Sequence, residues 1–98
     1  MNTVCLIGNL TKDVELKETK NGGSMGIFTL AINRPGDKDS CDFIRIVTFG
    51  AVAEVAARFL KKGSKVGVTG SIRTGSYTKE SGDKVYTTDV YANNITLI

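Results

Sequence analysis

Apolar and polar residues alternate along most of the chain with the period of two that is typical of β-strands. The alternation predicts five strands, at residues 3–10 with a polar extension to 17, and at 24–34, 41–49, 65–75 and 85–98. Lys20, Asn21, Gly22 and Gly23 have the residue types of a tight hairpin turn between the first two strands. A charged turn over 34–39 and a polar loop over 75–84 separate later strands.

One segment, residues 51–62, has the period of a helix instead. The apolar spacing i, i+3, i+4, i+7, i+8 predicts one buried stripe, formed by Val52, Val55, Ala56, Phe59 and Leu60. Gly63 supplies the stop after it. The stripe assigns Phe59 to the core, and strand alternation assigns Phe28 to the core with Leu30 and Ile32.

The order of elements is three strands, one helix and two strands. This is the arrangement of the OB-fold, a partly open five-stranded barrel with its helix between strands three and four. Gly67 and Gly70 lie inside the fourth strand and indicate strong curvature there. We therefore predict an all-β fold, a β-barrel with one helix, as a single domain over residues 1–98.

The composition argues against several classes of function. The chain has no histidine and only two cysteines, so we expect no metal site, no cofactor and no enzyme activity. Cys5 lies among apolar residues and is assigned to the core. No run approaches the roughly 20 apolar residues of a membrane span, and no signal peptide is recognisable. A cytoplasmic protein without a membrane partner is the expectation.

The third strand has an unusual second face. Ile44 and Ile46 take one side, while Phe43, Arg45, Val47 and Phe49 share the other. Two rings beside a guanidinium suit a flat, anionic ligand that stacks, such as a single-stranded nucleic acid. A strand buried on both faces, with Arg45 as a paired edge charge, fits these residues equally well.

The net charge of +3 is mild but unevenly distributed. Between Val55 and Thr78 there is no Asp or Glu, and that segment holds Arg58, Lys61, Lys62, Lys65 and Arg73. Cations that share a face would attract phosphates. A solvated helix end followed by a polar strand face is the alternative interpretation.

Six motifs, in order and at matching spacing, resemble those of bacterial or phage-type single-stranded DNA-binding proteins. They are MNTVCLIGNLTKD (1–13), FTLAINRP (28–35), DFIRIVTFG (42–50), FLKKGSKV (59–66), GSIRT (70–74) and VYTTDV (85–90). The resemblance covers essentially the whole chain. It implies sequence-independent binding and protection of single-stranded DNA during replication, recombination and repair, in the cytoplasm at the bacterial nucleoid.

The resemblance also implies which residues bind. Bases would stack on Phe43, Phe49 and Tyr77, the last in the predicted loop 75–84. Arg45 and Arg73 would hold phosphates or stack on bases, and the outer cations would be Lys12, Arg34, Lys61 and Lys62. Tyr86 is expected to be structural, and Tyr91 has no assigned role.

Members of this family form homotetramers, with dimers made largely through the first strands, so a homotetramer is expected. Relatives usually continue into a disordered linker and an acidic tip that recruits replication and repair proteins. The present sequence ends at Ile98, and such recruitment is expected only if a tail exists. Two alternatives stay open: an OB-fold module that binds proteins, and an RNA-binding OB-fold of the cold-shock kind.

Overall fold

The computed structural model describes the backbone of residues 1–98 and the side chains of 1–36 and 40–98. The chain forms six strands and one helix. In order they are β1 Val4–Leu10, β2 Glu15–Glu18, β3 Ser24–Arg34, β4 Asp37–Phe49, α1 Gly50–Phe59, β5 Lys65–Thr78 and β6 Lys84–Leu97. The predicted all-β fold with one helix between the third and fourth long strands is confirmed.

All six strands belong to one sheet in the order β1-β5-β6-β4-β3-β2. β1 also pairs with β3, through Asn9 with Ala31 and Leu10 with Leu30, and this pairing closes the sheet into a ring. β4 and β6 run parallel, and the other neighbours are antiparallel. The predicted first strand is divided in two, because β1 pairs mainly with β5 whereas β2 pairs with the other end of β3.

A single apolar core lies inside the ring. Its buried members are Leu10, Phe28, Leu30, Ile46, Ala56, Leu60, Val66, Val68 and Val90. Strand alternation therefore assigned β3 and the inner face of β4 correctly. Thr48, a polar residue in the interior, is satisfied because its hydroxyl donates a hydrogen bond of 2.8 Å to the carbonyl of Gly26.

The helix packs on this core with its alanines, so the predicted stripe is correct for Ala56 and Leu60 but wrong for Val55 and Phe59. Ala53 and Ala56 are buried, whereas Val55 and Phe59 are exposed. The reason lies on β3: a Cβ on Gly26 would sit only 3.4 Å from the Cα of Ala53. The missing side chain of Gly26 and the small alanines let the helix backbone approach the sheet closely. Phe59 then faces outward, with the guanidinium of Arg58 5.5 Å from its ring.

The assignment of Cys5 to the core is wrong, and Tyr86, which was expected to be structural, also lies outside the core. Cys5 is exposed, because β1 has the core on one side only and Val4 and Leu6 occupy that side. Tyr86 is exposed because β5 and β6 continue past the ring as a long hairpin, where there is no core to enclose its side chain. Lys84 lies over the Tyr86 ring, 5.4 Å from its centre.

The same hairpin shortens the predicted loop. β5 runs to Thr78 and β6 begins at Lys84, so Tyr77 is paired with Val85 inside the sheet and does not lie in a loop. On the other side of the ring, β4 begins at Asp37 and extends further than the predicted 41–49. We call the segment from 71 to 91 the arm; Val90 near its end belongs to the core, and most of the remaining residues extend past the core.

The burial of the two phenylalanines predicts unequal stability costs. Phe28 is 3% exposed and Phe59 is 54% exposed. Phe28→Ala should lower the free energy of unfolding by about 3–5 kcal/mol, since it opens a cavity in the core. Phe59→Ala should cost about 1 kcal/mol or less, because it removes an exposed ring and one cation–π contact. Urea unfolding followed by circular dichroism, at one protein concentration, measures both. Equal midpoints for the two variants would contradict the assigned helix orientation.

Candidate functional site

The outer face of β4 carries the rings and the charge that the sequence predicts. Phe43, Arg45 and Phe49 are exposed, Phe43 most of all at 67%. Val47 shares their face but is buried, between its register partners Ile27 on β3 and Tyr91 on β6. Of the two interpretations of this strand, double burial therefore applies around Val47, and the rings on either side of it, Phe43 and Phe49, face solvent.

Arg45 faces an acidic residue that the sequence analysis did not consider. Its Nε lies 3.9 Å from Oδ1 of Asp89 on β6, and the Asp89 side chain is only 18% exposed. Asp89 is also the register partner of Arg73 on β5. A single row across three strands thus runs arginine, aspartate, arginine.

Tyr91 on β6 contacts both the ring of Phe49 and the guanidinium of Arg73. Its ring centre lies 5.5 Å from that of Phe49, tilted by 45°, and the guanidinium of Arg73 lies 5.0 Å from its centre. Tilted ring pairs and stacked guanidiniums at these distances are stabilising. Phe49, Tyr91 and Arg73 therefore form a continuous aromatic and cationic surface, which we call the outer-face cluster together with Arg45 and Asp89.

Two backbone features place this cluster. β6 makes a bulge after Ala92, where the pairing changes from Gly70–Ala92 to Thr69–Asn94 and leaves Asn93 unpaired. A Cβ on Gly70 would collide with the Tyr91 carbonyl, so the bulge needs glycine there. The side-chain amide of Asn2 then accepts from and donates to the backbone of Ile72, at 2.9 Å each, and holds β5 just before Arg73.

Tyr77 lies further along β5, on the face of the arm that carries Arg73. The two residues are four apart, so strand alternation places them on one side. Its ring is 55% exposed. The structure therefore brings together five of the predicted site residues on one surface: Phe43, Arg45, Phe49, Arg73 and Tyr77.

The remaining predicted cations lie elsewhere. The backbone amide of Lys62 donates a hydrogen bond of 2.8 Å to Oδ1 of Asp13, and that of Gly63 donates one of 2.8 Å to the carbonyl of Leu10. These bonds bring the segment after the helix, with Lys61 and Lys62, against the turn after β1 that holds Lys12. All three lysines are exposed there and form a second group of charges.

Arg34 is engaged with another residue. Its Nε and Nη2 donate to Oδ1 of Asp42 at 3.0 and 2.7 Å. This hydrogen bond and the charge of Asp42 raise the pKa of Arg34 above its usual value. Asp42 precedes Phe43 on β4 and so points to the opposite side of the strand. Arg34 is therefore not brought into the outer-face cluster.

Asp89 and Tyr91 were missed by the sequence analysis, although a signal for both was present. In an antiparallel hairpin the sum of paired residue numbers is constant. A turn centred on Ser81 pairs Thr78 with Lys84, and the same count pairs Arg73 with Asp89 and Ser71 with Tyr91. Because the loop was predicted over the whole of 75–84, the sequence analysis did not locate the turn from which these pairs are counted. The contact of Tyr91 with Phe49 depends on the parallel pairing of β4 with β6, which has no such local rule.

The chemistry available to this surface is stacking and charge neutralisation. Within residues 1–36 and 40–98, no group of His, Cys, Asp and Glu side chains is arranged to hold a metal ion. In the part of the chain that the structure describes, no helix is long and apolar enough to cross a membrane. Exposed rings interleaved with guanidiniums on a sheet match the way in which OB-folds hold single-stranded nucleic acids.

The model of the single-strand binding protein family matches residues 1–98. The "Single-stranded DNA-binding protein" of Clostridium perfringens (strain 13 / Type A) is 46% identical over 99 residues, which is 100% of this chain and 66% of that protein. "Single-stranded DNA-binding protein A" of Bacillus subtilis (strain 168) is 44% identical, over 97% of this chain and 58% of that protein. "Single-stranded DNA-binding protein 3" of Listeria innocua serovar 6a is 44% identical, over 97% and 62%.

The chain thus spans less than two thirds of the length of these three relatives. The family match nonetheless extends from its first to its last residue, over the ring, the helix and the arm. By these similarities the chain belongs to the single-strand binding protein family.

Proposed function

We propose that this chain binds single-stranded DNA without reading its sequence and protects it during replication, recombination and repair. Bases stack on Phe43, Phe49 and Tyr77, and Arg45 and Arg73 contact phosphates. The role is one of binding and not of catalysis, and its place is the cytoplasm, at the bacterial nucleoid. The family match and the names of the relatives support single-stranded DNA as the ligand.

One observation carries this proposal: three rings are exposed on the same surface as two arginines. In a folded domain, a large exposed ring has lost the stability that burial would give. Stacking a base on such a ring is worth about 1–3 kcal/mol, and every base has a face that stacks. The surface therefore favours unpaired bases of any sequence over duplex DNA, whose bases are already stacked on one another.

The charges add a contribution that depends on salt. Each phosphate that Arg45 or Arg73 neutralises releases counterions, so affinity falls as the salt concentration rises. Lys12, Lys61 and Lys62 are exposed and extend the positive potential around the protein. We propose them, with Arg34, as outer contacts of a longer strand. The pairing of Arg34 with Asp42 makes its contribution the smallest of these.

Fluorescence anisotropy with labelled oligonucleotides tests the proposal directly. Single-stranded dT and mixed-sequence DNA of equal length should bind with similar affinity, and both should weaken between low and high salt. Duplex DNA of the same sequence is the control and should bind far more weakly. No binding of either single strand at low salt would refute the function. Tighter binding of an equal RNA strand would favour the RNA-binding alternative.

The arm offers a matched pair of tyrosines for testing the site. Tyr77 and Tyr86 are 55% and 75% exposed, on opposite faces of one hairpin. Tyr77→Ala should weaken binding of single-stranded DNA by about 5- to 150-fold, the equivalent of one lost stacking contact. Tyr86→Ala removes an equal ring from the other face and should change affinity less than twofold, roughly the scatter of such titrations. Equal losses for both variants would place the DNA elsewhere.

Phe43→Ala extends the same test to β4. Because Phe43 is exposed, the substitution should weaken binding by a factor similar to that for Tyr77→Ala while the free energy of unfolding changes by less than about 1 kcal/mol. Titration of labelled dT and urea unfolding of the same samples measure the two quantities. A large loss of stability with unchanged affinity would make the ring structural.

We further propose that the protein associates with copies of itself, as a homotetramer by the family resemblance. β1 uses one edge along its length for β5, but its other edge meets β3 only at Asn9 and Leu10. The backbone groups from Val4 to Ile7 are therefore open to a further strand on that edge. The adjoining surface is partly apolar and holds exposed Ile7 and Ile98 beside Gly67.

Ile7→Lys tests the association. The Ile7 side chain is 58% exposed in the single chain, so lysine is tolerated by the fold but places a charge on the open edge of β1. Light scattering should show a multimer for the unchanged protein and a smaller species for the variant. Ile72→Lys, an exposed apolar position on the arm, is the control and should leave the mass unchanged. A multimer that survives Ile7→Lys would place the interface on another surface.

A recruiting role toward replication and repair proteins is proposed only for a form of the protein that carries an acidic tail. No feature of the described surface is assigned to it. The same oligonucleotide titration tests the alternative that this is an OB-fold module that binds proteins through its aromatic face. That alternative gains support only if single-stranded DNA fails to bind.

A further inference from the structure

The acidic residue in the middle of the outer-face cluster has no place in a simple scheme of rings and cations. We propose that Asp89 is an internal competitor for the DNA phosphate: its carboxylate holds Arg45 in the free protein, and the phosphate of a bound strand displaces it. Asp89 thereby sets how tightly and for how long the surface holds a strand. The inference rests on the proposed binding of single-stranded DNA.

The position of Asp89 supports this role. It lies between the two arginines proposed to contact phosphates, 3.9 Å from the Nε of Arg45 and opposite Arg73 in register. Its side chain is 18% exposed, whereas that of Arg45 is 51% exposed. The carboxylate is thus covered by its neighbours, and the guanidinium that it attracts remains open to a ligand from solvent.

The length of the contact indicates a pair that is easily exchanged. Charge-assisted hydrogen bonds between a guanidinium and a carboxylate are about 2.7–2.9 Å long. Arg34 and Asp42 form such a bond at 2.7 Å elsewhere in this protein, but Arg45 and Asp89 are 3.9 Å apart. Arg45 is therefore attracted to Asp89 without being fixed by a hydrogen bond. An incoming phosphate, with oxygens that accept bidentate bonds, makes the better partner.

The same carboxylate opposes the phosphate by repulsion. A negative charge with little exposure to water is screened less than a surface charge, so its repulsion reaches a phosphate bound on Arg45 or Arg73. A phosphate that binds Arg45 must also replace the existing attraction between Arg45 and Asp89. The net result is lower affinity and faster release than two free arginines would give, as suits a protein that must be removed from DNA when the strand is copied.

Asp89→Asn removes the charge and keeps the shape. We expect the variant to bind labelled dT about three- to tenfold more tightly, mainly through slower dissociation in stopped-flow displacement. The dependence of log affinity on log salt should steepen by up to about one, because Arg45 then neutralises a phosphate without an internal counterion. A residue with a purely structural role would alter the unfolding midpoint but not this salt slope.

Two controls isolate the mechanism. Glu18→Gln changes the net charge equally, at an exposed site on β2, which β3 and β4 separate from β6 in the sheet order. It should leave affinity within about twofold of the unchanged protein, as expected for an exposed, screened charge. In an Arg45→Ala background, the gain from Asp89→Asn should fall to less than half, because the partner through which Asp89 acts is absent.

The outcomes separate this inference from the proposed function. If the unchanged protein, Asp89→Asn and Glu18→Gln all fail to bind single-stranded DNA, the proposed function is wrong and this inference is refuted with it. If they bind but Asp89→Asn is equal to or weaker than the unchanged protein, only the competitor role is refuted. A gain of the same size in the Arg45→Ala background, or from Glu18→Gln, would also refute it, since it would reflect net charge alone.

Discussion

β1 makes hydrogen bonds along two edges, with β5 through most of its length and with β3 at its last two residues, and this double pairing closes the sheet. Once the ring is closed, one side of every strand faces a common interior. Leu30, Ile46 and Val66 can then be fully buried in a chain of only 98 residues. A small domain buries a modest fraction of its surface, so an interior enclosed on all sides supplies most of its stability.

Because the closed ring holds the core on its inner side, most side chains on the outer side of the sheet are not needed for core packing. On β4, Ile46 lies in the core with Ile44 packed against it, and among the outer-side residues described from 41 to 49 only Val47 is buried. The strand is therefore held rigidly by Ile46, Val47 and Thr48 while Phe43, Arg45 and Phe49 extend from it into solvent. Rings mounted on a buried strand need little ordering when a ligand stacks on them, and less conformational entropy is lost on binding.

The sequence predicted those parts of the fold that depend on local alternation. Phe28, Leu30 and Ile46 were assigned correctly because each strand has one side toward the core. Phe59 was assigned wrongly, since a stripe through Val55 and Phe59 and a stripe through Ala53 and Ala56 have the same helical period. The choice between them was made by Gly26, on a strand more than twenty residues earlier. Such a tertiary contact cannot be recognised from the sequence of the helix alone.

The predicted site shows the same division. Phe43, Arg45 and Phe49 lie on one strand, so alternation alone placed them together. Arg73 and Tyr77 joined them through the parallel pairing of β4 with β6 and the hairpin of β6 with β5, which the sequence does not specify locally. The position of Lys62 also depends on a contact between distant parts of the chain, since its backbone amide is bound by Asp13 in the turn after β1.

A surface that attracts a polyanion must also be stable when the polyanion is absent. Arg45 and Arg73 lie in one row of the sheet, where two like charges without a counterion would repel each other and weaken the strand pairing. Asp89 between them and the ring of Tyr91 beneath Arg73 remove that difficulty. Of the two, only the carboxylate opposes the ligand, since an aromatic ring holds a guanidinium without repelling a phosphate. The two arginines are thus held differently: Arg73 is held by the ring of Tyr91 as well as by its register partner Asp89, and in our proposal Arg45 is the one whose availability Asp89 controls.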